Sequence, residues 1–262
     1  MERKEILNQF YSNDCDEDMR LLSNHGRVEF LTTIKYVDSF LKPNDKILEI
    51  GAGTGRYSLY YADKGYDVTA IEYVNHNLDI LKSKIKDQMN IKAMQGDALD
   101  LSRFTDNTFD ITLVLGPLYH LYTDEDINKA ISEALRVTKP NGVLGLAYLT
   151  DDSIMVSYVL KKRHLLDKEN RAFTDDYRIV VKPEEVFRSF RVDEFKKMLD
   201  KYDIDYLKQI ATDGIAHHVK EYIDSLSEEE FEVWMKYHLT TCERQDLIGY
   251  SNHILYLGRK RR

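Results

Sequence analysis

A glycine-rich turn is the part of this 262-residue sequence best suited to bind a ligand. Gly51, Gly53 and Gly55 alternate within the stretch ILEIGAGTGRY at residues 47–57. Glycine adopts unusual backbone angles and lets a ligand approach main-chain amides. A helix that begins after the turn also offers unpaired N–H groups to an anion. A tight strand-to-helix turn without a ligand has the same pattern, so the neighbouring residues decide between the two interpretations.

An acidic residue follows the turn at a spacing that suits ribose recognition. Glu72 ends the next apolar run, twenty-one residues after Gly51, and a carboxylate there can accept both hydrogen bonds of a ribose diol. Arg56 stands where a P-loop has lysine and where a dinucleotide-binding turn has its third glycine. The short spacing between the three glycines therefore favours an adenosine-type ligand without a pyrophosphate, such as S-adenosylmethionine.

The elements around this turn alternate between strand and helix. Short apolar runs predict strands, amphipathic stretches predict helices, and their alternation predicts right-handed crossovers in a parallel sheet. The predicted strands are 46–51, 67–72, 91–95, 109–115 and 142–150, with helices at 54–64, 75–88 and 124–138. A helix at 27–41 precedes them. Beyond residue 150 we expect a helix at 193–201, strands at 204–212 and 247–258, and a helix that begins at the capping box of Ser227.

Composition excludes several classes of protein. Lys and Arg number 37 against 45 Asp and Glu, so the net charge is −8, which argues against a general nucleic-acid or membrane-surface binder. The only cysteines, Cys15 and Cys242, have no metal-ligand spacing. Residues 1–18 contain no apolar segment of a secretory signal, and the apolar run 111–118 is too short to span a bilayer. We therefore expect a cytoplasmic globular protein.

The motifs resemble those of the class I S-adenosylmethionine-dependent methyltransferases. The family pattern Glu/Asp-x-Gly-x-Gly-x-Gly is matched at residues 49–55, and Gly-Asp-Ala occurs at 96–98. Residues 109–121 resemble the fourth strand and its exit loop, and residues 134–142 resemble the helix and turn before the fifth strand, with Asn141 where glycine is common. The segments LGPLYHL at 115–121 and RVEFLTT at 27–33 are similar to a bacterial branch with many small-molecule members.

The resemblance implies the cofactor and the residues that bind it. Glu72 would hold the ribose, Tyr73 would flank the adenine, Asp97 would accept from the adenine amino group, and the Ala98 amide would face the ring. S-adenosyl-L-methionine is the expected cofactor and S-adenosyl-L-homocysteine the product. The expected cofactor-binding residues are Glu49, Gly51, Ala52, Gly53, Gly55, Tyr57, Glu72, Tyr73, Asp97, Ala98, Leu115 and Gly116.

The predicted fold is α/β: a doubly wound, mostly parallel, seven-stranded Rossmann-like sheet with an antiparallel last strand. Residues 46–150, 193–213 and 245–262 would form the cofactor-binding core. Residues 1–45 would form a helical arm or lid, and residues 151–192 and 214–244 an inserted cap over the active site.

His120 and Tyr119 are the candidate catalytic residues, because they follow the fourth strand, where the family places acceptor-side groups. An unperturbed imidazole takes up a proton near neutral pH, although a packing role fits His120 equally well.

His217 and His218 are more typical of a surface, and His253 faces either the cleft or the core. No metal site is predicted, since we find no convincing Asp/Asn set around strand four. Tyr11, Tyr57, Tyr119, Tyr148 and Tyr158 could line an aromatic pocket, although packing explains most of them.

The leading hypothesis is a methyltransferase acting on an oxygen or nitrogen atom of a small molecule. An RNA or protein methyltransferase is one alternative, disfavoured by the seven acids against three bases of residues 214–244. A non-catalytic S-adenosylmethionine-binding protein is another, and a nicotinamide-dependent oxidoreductase is disfavoured by the glycine spacing. The partner expected is a small-molecule acceptor, with no membrane and no nucleic acid, and a homodimer is left open.

Overall fold

A mixed sheet forms the centre of the computed structural model, which describes residues 3–14, 22–167, 169, 171–182 and 186–262. The strand order is β3-β2-β1-β4-β5-β8-β7, and the short β6 pairs with β5. In the described ranges every pairing is parallel except those of β8, which runs antiparallel to β5 and β7. The strands are β1 Lys46–Ile50, β2 Asp67–Glu72, β3 Ile91–Gln95, β4 Phe109–Val114, β5 Thr138–Thr150, β6 Ser189–Phe190, β7 Ile204–Ala211 and β8 His253–Lys260.

Helices flank the sheet and cover its apolar side chains. The helices are α1 Arg3–Gln9, α2 Asn24–Asp38, α3 Arg56–Asp63, α4 Asn75–Lys84, α5 Asp124–Val137, α6 Asp151–Ile154, α7 Val192–Leu199, α8 Lys220–Asp224 and α9 Glu228–Thr241. The side chain of Thr123 caps α5, and Ser227 and Glu230 form the capping box that the sequence predicts for α9. None of the helices in the described part of the chain is long and apolar enough to cross a membrane.

The structure confirms the fold class and corrects the sequence prediction in three details. The sheet has eight strands instead of seven, because Ser189–Phe190 adds a two-residue strand to β5. Residues 139–142, expected as a turn before the fifth strand, lie inside β5, where Asn141 has a φ of 65° and the pairing with β4 shifts register. The last strand begins at His253, since Ile248–Tyr250 forms a 3₁₀ turn.

The N-terminal arm lies across one end of the sheet. Residues Phe10–Asp14 continue α1 as a π-helical turn. Leu7 of α1 is buried in a small apolar cluster with Val74, which follows β2, and Val186, which precedes β6. The arm therefore bridges the loop after β2 and the segment before β6.

Helix α2 packs against the second segment expected as a cap. Val28 of α2 is buried with Ile223 of α8 and Phe231 of α9. Cys242 is a buried free thiol at the end of α9, whereas Cys15 lies outside the described residues.

Candidate active site

A cleft opens at the carboxyl ends of β1 to β4, the edge at which open α/β sheets bind ligands. It brings together every predicted cofactor-binding and catalytic residue except Gly55. The predicted residues that line it are Glu49, Gly51, Ala52, Gly53, Tyr57, Glu72, Tyr73, Asp97, Ala98, Leu115, Gly116, Tyr119 and His120. Tyr11, a candidate for an aromatic pocket, also lines the cleft, whereas Tyr148 stacks on Phe195 and Tyr158 on His164, away from it. Further lining residues include Arg3, Leu7, Glu29, Thr54, Asn77, Pro117 and Leu121.

The glycine turn folds back on β2 and uses left-handed backbone angles. The amides of Gly51 and Ala52 both donate to the Ile71 carbonyl, at 2.8 and 3.0 Å. Gly51 has a φ of 77°, and a Cβ atom there would lie 2.5 Å from Cδ of Pro117. Gly55 has a φ of 92° at the N-cap of α3, where a Cβ atom would lie 2.2 Å from a methyl carbon of Leu81. Gly55 thus allows the start of α3 to pack closely against Leu81 of α4, and it does not line the cleft.

Glu72 is fixed by two backbone amides at the end of β2. One carboxylate oxygen accepts from the Gly53 amide at 2.7 Å, and the other accepts from the Val74 amide at 2.7 Å. The side chain is buried, and its carboxylate lines the cleft. The acid therefore ties the glycine turn to the loop after β2 at the wall of the cleft.

Glu49 lies beneath the glycine turn in a buried position. Burial raises its pKa to about 8, although the hydrogen bond donated by the Ser58 hydroxyl opposes the shift. The nearby carboxylate of Glu72 also favours the neutral form. The carboxyl group of Glu49 is therefore mostly protonated at neutral pH.

Arg3 of the arm reaches into the cleft, a contact that no pattern in the sequence indicates. Its guanidinium pairs with the Asp97 carboxylate and lies 4.8 Å from the centre of the Tyr73 ring. The other Asp97 oxygen accepts from the Leu99 amide at 3.0 Å. Helix α1 therefore covers the end of the cleft built by the loops after β2 and β3.

His120 is held by hydrogen bonds at both ring nitrogens. Nδ1 lies 3.0 Å from the Val186 carbonyl oxygen, which only accepts, so Nδ1 carries the proton. Nε2 then accepts from the Tyr11 hydroxyl at 2.8 Å. Burial, together with the positive charge of Arg3, lowers the His120 pKa to about 4. The imidazole is therefore neutral, and it fixes Tyr11 of the arm over the cleft.

Tyr119 lies between two histidines at the same end of the cleft. Its hydroxyl donates to the Leu115 carbonyl at 3.0 Å. Its ring centre lies 4.9 Å from that of His120 and 6.0 Å from that of His253. Tyr119 therefore forms a wall of the cleft between the exit loop of β4 and the start of β8.

A second polar cluster adjoins the cleft at this wall. His253 Nδ1 lies 2.9 Å from Asp213 Oδ2 and 3.6 Å from Glu29 Oε2, and Glu29 itself lines the cleft. Asp213 Oδ1 accepts from the His253 amide at 3.0 Å and from the Ser251 hydroxyl at 2.6 Å. Burial by itself would raise the Asp213 pKa, but the hydrogen bond and charge of His253 hold it well below its usual range.

His217 lies near this cluster and is half-buried, whereas the sequence suggested a surface position. Burial lowers its pKa to about 4, so its ring is neutral at physiological pH. His218 is half-buried and donates from Nε2 to the Tyr250 carbonyl at 2.9 Å. The sequence left two orientations open for His253, and the structure places it in the polar cluster beside the cleft.

Comparison with known proteins agrees with this geometry. Residues 48–146 match a protein family described as a methyltransferase domain. Demethylmenaquinone methyltransferase of Renibacterium salmoninarum is 40% identical over 106 residues, which cover 40% of this chain and 41% of that protein. The putative methyltransferase YqeM of Bacillus subtilis is 30% identical over 111 residues, which cover 42% of this chain and 44% of that protein. The chain thus spans about two-fifths of the length of these curated relatives.

Solved structures extend the likeness to the whole fold. A methyltransferase of Thermotoga maritima described as a possible histamine N-methyltransferase has a TM-score of 0.62 at 19% identity, covering 98% of this chain and 99% of that one. Phosphoethanolamine N-methyltransferase 1 of Haemonchus contortus has a TM-score of 0.65 at 14% identity, covering 99% of this chain and 49% of that one. The chain therefore shares the Rossmann-like fold of these solved structures, and residues 48–146 are similar to a methyltransferase domain.

Proposed function

We propose that the protein transfers a methyl group from S-adenosylmethionine to a small-molecule acceptor by in-line displacement. The observation that carries the proposal is one continuous cleft. At one end it has the glycine turn, Glu72 and Asp97, and at the other it has Tyr11 and His120. The first set suits an adenosine-containing cofactor, and the second suits a group that loses a proton as it is methylated.

The cofactor end fits S-adenosylmethionine through its donors and acceptors. Glu72 would accept from the ribose hydroxyls while the amides of Gly53 and Val74 hold it in place. Asp97 would accept from the adenine amino group once Arg3 gives up its ion pair, and Tyr73 would flank the ring. The remaining predicted contacts come from Glu49, Gly51, Ala52, Tyr57, Ala98, Leu115 and Gly116, all of which line the cleft.

The acceptor end has a hydrogen-bonded path for a proton, which ends at a ring whose charged form is disfavoured by burial. When bound, the cofactor supplies an electrophilic methyl group and leaves as S-adenosylhomocysteine. An acceptor O–H or N–H beside Tyr11 would pass its proton to the Tyr11 oxygen as the Tyr11 proton moves to Nε2 of His120, which is neutral and already accepts from that hydroxyl. Val186 keeps the ring oriented through Nδ1. Tyr119 would shape the wall against which the acceptor packs.

The names of the similar proteins support a small acceptor. They include a demethylmenaquinone methyltransferase, a possible histamine N-methyltransferase and a phosphoethanolamine N-methyltransferase. Each name denotes a small organic molecule, and the names differ in the chemistry of the acceptor. They therefore support the class of reaction and leave the acceptor of this chain to be found by experiment.

Calorimetry with S-adenosylhomocysteine tests the cofactor assignment. Glu72→Gln should weaken binding about 10- to 100-fold, because it removes charge-assisted hydrogen bonds to the ribose. Glu232→Gln removes a carboxylate exposed on α9 and should leave binding unchanged. Equal affinity in Glu72→Gln and wild type, or preference for NAD, would contradict the assignment. Cofactor binding without turnover on an acceptor panel would favour the non-catalytic alternative, and tight, salt-sensitive RNA binding would favour an RNA methyltransferase.

A further inference from the structure

A turn that follows β5 and α6 presents apolar and basic side chains together on the surface. Residues 160–166, here called the basic turn, have the sequence LKKRHLL. Leu166 is 89% exposed, more than any other large apolar side chain of the described residues, and Leu160 and Leu165 are about half exposed. Scattered exposed leucines are ordinary, but three within seven residues form an apolar surface that a partner can cover.

The charge of the basic turn is opposite to that of the whole chain. Lys161, Lys162 and Arg163 are exposed, and no acid occurs within the turn, whereas the chain has a net charge of −8. The next acid, Asp167, lies 3.9 Å from Nδ1 of His164. Among the described residues Lys162 and Arg163 have no carboxylate partner. The three cations are therefore available to an anionic partner.

Contacts at its base hold the basic turn in one shape. Val159 is fully buried in a small apolar cluster, and the Tyr158 ring stacks on that of His164 with centres 4.9 Å apart. Lys161 Nζ donates to a carbonyl oxygen of the segment between β7 and α8 at 2.6 Å. Arg163 has a φ of 63°, a left-handed angle that turns the chain just before the two leucines. Because the turn is already ordered, binding through it costs less conformational entropy.

A membrane surface that contains anionic lipids suits this combination of side chains. Lysine and arginine are attracted to the negative surface of such a membrane, and leucines beside them bury apolar area at the boundary of headgroups and acyl chains. A nucleic acid would pair with the cations but leave the leucines in water, since single-stranded nucleic acids stack on aromatic side chains. The leucines and the cations together therefore favour a lipid surface.

We propose that the basic turn docks the protein reversibly on a membrane surface rich in anionic phospholipids. Leu165 and Leu166 enter the headgroup region, and the neighbouring cations contact lipid phosphates. The turn extends from the carboxyl end of β5, and β5 is parallel to β4, so it lies at the sheet edge that holds the cleft. This role differs from the expectation of no membrane partner, which the net charge of the whole chain suggested. It does not rest on the proposed function, because no residue of the turn lines the cleft.

Vesicle flotation with the full chain tests this role. Wild type is titrated with vesicles of phosphatidylcholine and phosphatidylglycerol in equal parts, and with vesicles of phosphatidylcholine alone. It should bind the mixed vesicles about 10- to 100-fold more tightly, because each cation near an anionic surface contributes to binding. Salt at about 0.5 M should release it, because the charges are then screened.

Two double variants separate the apolar and the electrostatic contributions. Leu165→Ser with Leu166→Ser should weaken binding to the mixed vesicles about 10- to 100-fold, because the apolar area is lost. Lys162→Gln with Arg163→Gln should weaken it about 10- to 30-fold and remove most of its salt dependence. Unchanged circular dichroism and urea unfolding midpoints show that the variants are folded.

Matched control variants lie on α8 and α9. Tyr222→Ser with Val233→Ser removes two exposed apolar side chains, and Lys220→Gln with Lys236→Gln removes two exposed cations. Both controls should bind the mixed vesicles as wild type does. A control that loses as much affinity as the matching variant of the basic turn would show that the attraction is not local to the turn and would overturn the inference.

Other outcomes would also overturn it. Wild type that binds neither kind of vesicle, or binds both equally, would do so, as would leucine variants with wild-type affinity. RNA binding that is lost in Lys162→Gln with Arg163→Gln but kept in the leucine variant would assign the turn to a nucleic acid. A dimer of wild type that Leu165→Ser with Leu166→Ser dissociates, seen by light scattering in the absence of lipid, would assign the turn to a second copy of the chain.

Discussion

The buried carboxyl group of Glu49 should make the stability of the protein depend on pH in a way that one substitution removes. Glu49 is 2% exposed, and Ser58 donates a hydrogen bond to it. Burial raises its pKa from 4.5 to about 8 in the folded protein. Glu49→Gln keeps the size of the side chain and its hydrogen-bonding capacity but cannot ionise.

The sign and the size of this pH dependence of stability follow from proton linkage. Below pH 4.5 Glu49 is protonated in both states, and the folded protein has no penalty. Between pH 4.5 and 8 the unfolded chain loses this proton while the folded protein keeps it, so the free energy of unfolding falls by about 1.4 kcal/mol per pH unit. Above pH 8 both states are ionised and the loss levels off. Wild type should therefore lose about 3.5 kcal/mol relative to Glu49→Gln between pH 5 and 8.

Urea unfolding of both proteins at pH 5, 6.5, 8 and 9 measures this difference. Other titrating groups are common to both proteins and cancel in the comparison. Glu232→Gln removes an exposed carboxylate, and its difference from wild type should stay within about 0.5 kcal/mol at every pH. The reasoning would be refuted if the free energy of unfolding of Glu49→Gln, relative to that of wild type, stayed constant between pH 5 and 8 or decreased as the pH rose.

Three further predictions concern the turn, the arm and the proton path. Gly55→Ala should destabilise the protein by about 1–3 kcal/mol more than Gly65→Ala in urea unfolding. Both glycines have φ near 90°, but only at Gly55 does a Cβ atom meet Leu81; equal effects would contradict the packing role. Tyr11→Phe should lower kcat about 100-fold and leave S-adenosylhomocysteine affinity within twofold. His120→Ala should likewise slow turnover more than it weakens cofactor binding. If calorimetry showed that cofactor affinity falls as much as turnover does, the two residues would be a structural pair. Arg3→Gln should raise S-adenosylhomocysteine affinity by up to about fivefold, because Asp97 loses a partly exposed competitor; weaker binding would show that Arg3 helps to hold the cofactor.

The cofactor end could be predicted from sequence because its geometry is local. Gly51 follows β1 directly, Glu72 ends β2 and Asp97 lies two residues after β3, and parallel strands bring their carboxyl ends to one edge. The order of short motifs along the chain is then enough to bring these residues together. Gly55 shows the limit of this reasoning, since a glycine in the motif can serve packing against Leu81 instead of the ligand.

The acceptor end could not be predicted because its contacts join distant segments. Tyr11 meets His120 across 109 residues, and Arg3 meets Asp97 across 94. The Glu29–His253 contact depends on how α2 lies over the start of β8. Each of these positions shows an ordinary polar residue in sequence, with no periodic pattern that would indicate a partner. The two residues of β6 are likewise too few to show the alternation of a strand.

The position of β8 sets the order in which the sheet can be completed. β8 lies between β5 and β7, and within the described residues β7 pairs with no other strand. While residues 253–260 are still being synthesised, β7 has no place in the sheet and one side of the long β5 is an open edge. Such edges pair readily with other chains. A nascent or stalled chain that stops before residue 253 should therefore depend on chaperones far more than the finished protein does.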